Sequence, residues 1–129
     1  MQNYQHIELI TETYPPEING VALTVQALEF GLRNLGHRVG LVRPEQLEES
    51  PRHHQDLMLV EGAPIPRYPG LRFGLPARKR LMARWTAQRP DAIYIATEGP
   101  LGWSAMRAAR KLGIPIATGF HTRFDDYVG

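Results

Sequence analysis

Short alternating runs and longer runs with a three-to-four-residue recurrence take turns along this chain of 129 residues. His6-Ile-Glu-Leu-Ile-Thr alternates apolar and polar positions, the period-two pattern of a strand. The two prolines of Tyr14-Pro-Pro-Glu-Ile-Asn-Gly exclude that piece from a central strand, so it reads as a turn-rich loop. Asn19 then offers a side-chain oxygen to the free amides of a first helical turn. Val21, Val25, Leu28, Leu32 and Leu35 follow as the apolar stripe of an amphipathic helix. Gly36 ends it, because glycine takes the left-handed conformation without a Cβ clash. Arg38-Val-Gly-Leu-Val is a second strand, and the three elements make a βαβ unit with a right-handed crossover.

Residues 43–55 are polar and read as a loop, and Leu57-Met-Leu-Val is a third strand. The proline- and glycine-rich piece from Gly62 to Pro76 predicts a shaped surface loop. Ala77 to Gln88 reads as a helix, with Leu81 and Trp85 one turn apart. Ala92-Ile-Tyr-Ile-Ala is continuously apolar, as in a strand covered on both faces. Pro100 fits the first turn of a further helix, Gly113 closes it after Leu112, and Pro115-Ile-Ala-Thr-Gly-Phe is the fifth strand. Strands alternating with helices predict an α/β fold, a Rossmann-like doubly wound parallel sheet with helices on both faces. The residues after that strand read as the opening of another element, so the chain is expected to be a piece of a longer protein.

Composition narrows the chemistry. With no cysteine there is no disulfide, no thiolate nucleophile and no cysteine-ligated metal, which fits a reducing compartment. No apolar run approaches the ~20 residues that span a bilayer, and the start lacks the basic-then-apolar order of a signal peptide. A cytoplasmic setting is expected. The net charge is only +2, but its distribution is uneven. Between Glu61 and Asp91 there is no acid, while Arg67, Arg72, Arg78, Lys79, Arg80, Arg84 and Arg89 all lie there.

In open parallel sheets ligands bind beyond the carboxyl ends of the strands, near a topological switch point. Three segments reach that edge. In Glu17-Ile-Asn-Gly-Val, Gly20 lets a ligand approach the backbone at a helix N-terminus, a diphosphate contact, or else serves only the turn. The spacing matches neither GxGxxG nor a P-loop, which disfavours a dinucleotide oxidoreductase or an NTPase. Glu98 directly follows a strand and either faces the cleft, orienting a sugar hydroxyl, or is a plain helix-start carboxylate. His121 follows the fifth strand, where an imidazole either hydrogen-bonds a substrate or is structural. Asp125 and Asp126 fit no metal-ligand spacing and are explained by a helix start.

Thr13-Tyr-Pro-Pro-Glu-Ile-Asn-Gly-Val, Gly36-His-Arg-Val, Thr97-Glu-Gly-Pro-Leu-Gly and Gly119-Phe-His-Thr-Arg-Phe occur together and in order. Together they resemble the N-terminal domain of retaining, GT-B-fold glycosyltransferases of family 4, in the branch of mannosyltransferases and glycolipid synthases. The resemblance covers nearly the whole chain. It implies that residues 1–129 are part of the acceptor-side, N-terminal Rossmann-like domain, with the donor-binding C-terminal domain absent. It implies transfer of a hexose from a nucleotide sugar to an acceptor hydroxyl, of a lipid in this branch, with retention of configuration. Gly20 matches the glycine that approaches the donor diphosphate, and His121 the active-site histidine beside the transferred sugar. Asn19 and Glu98 are candidates for acceptor or sugar contact. No cofactor beyond the nucleotide-sugar substrate, and no catalytic metal, is implied. The paired glutamates and the diphosphate-clamping basic residues of the family's C-terminal domain have no counterpart here, so the isolated chain is expected to be inactive. The alternative is a non-catalytic α/β module that contributes only an acceptor or diphosphate pocket.

Arg78, Lys79, Arg80 and Arg84, with Leu81, Met82 and Trp85, have the make-up of a basic amphipathic helix suited to an anionic membrane surface. This would place the protein peripherally at the inner face of the membrane. The competing reading is a solvated helix face with Leu81 and Trp85 in the core. Nucleic acid is a poorer partner, since the charge is local and no aromatic stacking platform is evident.

Overall fold

The computed structural model describes residues 4–15, 19–46, 56–64 and 72–120. In chain order the elements are β1 (His6–Ile10), α1 (Gly20–Asn34), β2 (Arg38–Pro44), β3 (Leu57–Val60), β4 (Gly62–Pro64), β5 (Arg72–Gly74), α2 (Arg78–Ala87), β6 (Ala92–Ile95), α3 (Pro100–Leu112) and β7 (Ile116–Thr118). Five strands make one sheet in the order β3-β2-β1-β6-β7, and every pairing in it is parallel. The expected α/β class and the doubly wound, Rossmann-like sheet are therefore present.

Period-two alternation divides the strand residues between two cores. Leu9, Val39 and Leu41 pack with Val25 of α1 on one face. Ile10, Val42, Ile93 and Ile95 pack on the other with Leu81 and Trp85 of α2 and Leu101 and Ala105 of α3. Helix boundaries follow local chemistry. Asn19 caps α1 by accepting from the Ala22 amide at 2.8 Å. Gly36 and Gly113 take the positive φ that lets the chain leave α1 and α3.

Three expectations change. The stripe of α1 holds at Val25, Leu28 and Leu32, which pack on the core, but not at its ends: Val21 and Leu35 are 42% and 68% exposed, and Ala22 and Glu29 are buried instead. Glu29 faces inwards because it accepts the Tyr14 hydroxyl and pairs with Arg33 at 2.9 Å. The segment from Gly62 to Pro76 is not purely a loop, since β4 and β5 pair antiparallel within it. Strand β6 is fully covered only on the α2/α3 side, where Ile93 and Ile95 are buried, whereas Tyr94 on the other side is half-buried.

Candidate functional site

Strand order reverses between β1 and β6. From β1 the chain moves outward to β2 and β3, then returns to the other side of β1 to lay down β6 and β7. The crevice beyond the carboxyl ends of β1 and β6 is thus the switch point at which open α/β sheets bind ligands. Backbone ties carry the register past the strand ends. Ala96 donates to the Ile10 carbonyl at 2.8 Å, Thr11 to Val42 at 3.0 Å, and Gly119 to Ile95 at 2.9 Å. The segments that begin at Thr11, Ala96 and Gly119 therefore share one edge.

On the α1 side of the crevice, Asn19 is used twice. Its oxygen caps the helix, and its amide donates to Thr13 Oγ1 at 2.7 Å. The Thr11 hydroxyl in turn donates to the Thr13 carbonyl at 2.7 Å, which tightens the loop after β1. Gly20 stands at the first turn of α1, where the amides have no partner within the helix. Gly20 is exposed, and a Cβ placed on it would meet nothing within 4 Å, so there is open space beside this residue. Tyr14 anchors the loop from behind. Its hydroxyl donates to Glu29, its ring lies 5.2 Å from the Arg43 guanidinium carbon, and its carbonyl accepts from Gln46 at 2.6 Å. Burial, together with the Glu29 carboxylate, pushes the phenol up to about 12, so it stays a donor at neutral pH.

The α3 side of the crevice is closed by a residue that sequence reading passed over. Glu12 is 6% exposed, and its carboxylate lies over the start of α3. It accepts from the Leu101 amide at 3.1 Å and from the Thr97 hydroxyl at 3.0 Å, while its own amide donates to Thr97 Oγ1 at 2.8 Å. The Gly74 backbone at the end of β5 also hydrogen-bonds to it. Gly99, the N-cap of α3, has no side chain to offer, so Glu12 does the capping from 89 residues away. The run Thr97-Glu-Gly-Pro-Leu-Gly is explained by this packing. A Cβ on Gly99 would stand 2.2 Å from both Glu12 oxygens, and one on Gly102 would stand 2.4 Å from the Thr97 carbonyl oxygen.

The sequence model of Glycosyltransferase Family 4 matches residues 18–129. The chain belongs to glycosyltransferase family 4. Among its relatives is the alpha-monoglucosyldiacylglycerol synthase of Acholeplasma laidlawii, 31% identical over 94% of this chain and 31% of that protein. The enzyme of the same name from Streptococcus pneumoniae is 27% identical over 95% of this chain and 28% of its own length. A GDP-mannose-dependent alpha-mannosyltransferase of Mycolicibacterium smegmatis is 29% identical over 90% and 32%. The chain thus spans less than a third of the length of these relatives. The C-terminal domain of a hydrogenase from Pyrococcus furiosus superposes with a TM-score of 0.57, covering 93% of this chain and 94% of that one at 12% identity, which is a likeness of fold alone.

In this family 4 chain the remaining candidates fall as follows. Glu98 is exposed beside the buried Gly99, whereas the carboxylate held inside the crevice wall is that of Glu12. His121, Asp125 and Asp126 lie outside the described residues. Arg78 and Lys79 are exposed, and Arg80, also exposed, donates to the Leu59 carbonyl at 3.1 Å. Arg84 is a correction to the expected outward basic face. Its guanidinium turns inwards to Glu8, with Nε 2.5 Å and Nη2 3.2 Å from the carboxylate oxygens. Leu81 and Trp85 are in the core, as the solvated-face reading has them. Helix α3 adds to the basic surface, since its exposed positions are Trp103, Arg107, Arg110 and Lys111. Among the described residues no helix is long and apolar enough to cross a membrane.

Sequence reading missed Glu12 for a definable reason. Its side-chain and amide partners Thr97 and Leu101 lie 85 and 89 residues downstream, and nothing local marks a polar residue after a strand as one that will be enclosed. The glycine in Glu98-Gly-Pro was the available signal, because Gly99 is in extended backbone that any residue adopts and so marks a lack of space.

Proposed function

We propose that the full-length protein transfers a hexose from a nucleotide sugar to an acceptor hydroxyl with retention of configuration. In this reading the chain is the acceptor-side domain of a two-domain GT-B enzyme. The observation that carries it is the open N-terminus of α1 over Gly20 at the switch-point edge, on a chain of this family. Amides and the positive end of the helix dipole there suit a donor diphosphate. His121, which follows the strand ending at the same edge, takes the catalytic role. Its imidazole lies beside the transferred sugar, hydrogen-bonds a sugar hydroxyl and stabilises the oxocarbenium-like transition state. Donor oxygens assist deprotonation of the acceptor, and no metal is used. Asn19 supports the loop by capping, and Glu98 contacts the acceptor or sugar in this reading, which its exposure permits.

A lipid acceptor is the favoured class, because two of the relatives are named as alpha-monoglucosyldiacylglycerol synthases. Arg78, Lys79 and Arg80 of α2, joined by Trp103 and Arg107 of α3, would meet an anionic membrane from the cytoplasmic side. Each basic group near such a surface is worth about 1 kcal/mol. The test is an assay of the full-length protein against a panel of nucleotide sugars with lipid acceptors, with His121→Ala alongside. The variant should fold normally and lose about 10²- to 10³-fold in turnover, as when one oriented hydrogen-bond donor is removed from a transition state. Near-normal turnover of the variant removes His121 from catalysis. No transfer by the wild type from any donor sinks the whole reading.

A further inference from the structure

The proposed reaction gives no task to Glu12, although its carboxylate is buried at the carboxyl edge of the sheet, over the start of α3. Every donor identified on that carboxylate is neutral: the Thr97 hydroxyl, the Leu101 amide and the Gly74 backbone. These partners come from the loop after β6, the first turn of α3 and the end of β5. One side chain on the β1 loop thus ties together segments that are far apart in sequence. The surrounding backbone has been brought close to make this possible. Besides the tight fits at Gly99 and Gly102, a Cβ on Gly74 would stand 2.8 Å from Leu101 Cβ. Burial is the dominant influence on Glu12 and raises its carboxyl above the ordinary value of 4.5, with the hydrogen bonds only partly offsetting it. Each carboxylate oxygen takes a donor of its own, Oε2 the Thr97 hydroxyl and Oε1 the Leu101 amide, so the tie between the two segments uses both acceptors at once.

We infer that Glu12 is a positioning residue for glycosyl transfer, one that fixes the start of α3 against the β1 loop and so sets the width of the crevice between α3 and the open end of α1. This rests on the transfer reaction proposed above. A consequence follows for the donor. Two helix N-termini reach the crevice, and Glu12 already places a negative oxygen on the Leu101 amide of α3. A phosphate is therefore disfavoured at α3, whereas the start of α1 has open space over Gly20.

The experiment uses the full-length enzyme with Glu12→Gln and, separately, Gly99→Ala. Glutamine keeps the shape but offers one acceptor oxygen where the carboxylate offers two, so its NH2 group faces one of the two donors and breaks half of the tie, and alanine at position 99 pushes the carboxylate off α3 while leaving Glu12 unchanged. Thermal midpoints are measured with kcat and with KM for donor and acceptor. Glu12→Gln should lose about ten- to a hundredfold in kcat, the scale expected for misplacement of about 1 Å, at temperatures well below its thermal midpoint. Its donor KM should change much less than its kcat. Gly99→Ala should lose kcat in the same way. Unchanged kcat in Glu12→Gln overturns the inference, as does a loss in both variants that simply tracks the fraction unfolded. If the wild type transfers no sugar, the functional reading fails and this one with it. A working wild type with an indifferent Glu12→Gln condemns the positioning role alone.

Discussion

Two glutamates leave the β1 segment four positions apart on the same face of the sheet, and they are buried in opposite ways. Glu8 is fully enclosed near the amino end, where it meets the Arg84 guanidinium and accepts from Trp85 Nε1 at 2.8 Å. Glu12, at the carboxyl edge, is held by neutral donors. The first arrangement supplies the countercharge and hydrogen bonds that a buried carboxylate needs, and it does so across the α2 interface. The second leaves desolvation as the larger influence. One end of the strand is tied to α2 through an ion pair, and the other is tied to α3 through neutral donors.

The sharpest way to break this contrast is to remove the countercharge. Arg84→Met should destabilise the protein by about 3–5 kcal/mol, the usual cost of stranding one member of a buried ion pair. Urea unfolding of the full-length protein reads the effect. Adding Glu8→Gln to Arg84→Met should recover much of the loss, because glutamine still accepts from Trp85 but carries no charge. If the single variant is as stable as the wild type, Arg84 is a surface residue after all and the pair contributes nothing.

Most of the frame in which these two residues sit was legible from the sequence. The helix starts at Asn19 and Pro100, the stops at Gly36 and Gly113, and the five parallel strands follow from local rules that act within one turn or one strand. The inward face of α1 follows the apolar count at Val25, Leu28 and Leu32 but not at its two ends or at Glu29. A count of apolar residues places Val21 and Leu35 in the stripe, and it has no means to see that Glu29 would be drawn inwards by Tyr14. The basic run was read as one outward face because charge was counted without partners. Glu8 alternates like any strand residue, and only the folded chain brings it to Arg84, 76 positions away. The edge of the candidate site was legible, but its enclosed carboxylate was not, since that depends on two loops meeting.

Titration sharpens the comparison further. A carboxyl raised in the folded state favours the protonated form, so its contribution to stability is fully present below the unfolded value near 4.5. It is lost as pH rises through the folded value. Glu12→Gln cannot lose it. The thermal midpoint of that variant relative to the wild type should therefore climb between pH 4 and pH 7, by less than Arg84→Met costs. A flat difference across that range would mean that burial does not govern the Glu12 carboxyl.

The smallest effect belongs to the rim beneath Glu8, and it has the opposite sign. Asp56 sits 2.8 Å from Arg38 Nη2, and this hydrogen bond holds its carboxyl below the ordinary value of 3.8, with Arg38, His6 and Arg84 adding attraction. A depressed carboxyl stabilises above its unfolded value and loses that contribution as pH falls through the folded one. Arg38 is 45% exposed on its side chain, so solvent screening limits the pair to at most about 1 kcal/mol. Asp56→Asn should lower the thermal midpoint slightly at pH 7, and the gap from the wild type should narrow toward pH 3 and shrink in high salt. A gap that instead persists in acid would assign the loss to the Asp56 hydrogen bonds rather than to its charge, and would leave Glu8 and Arg84 as the charged contact that steadies this end of the sheet.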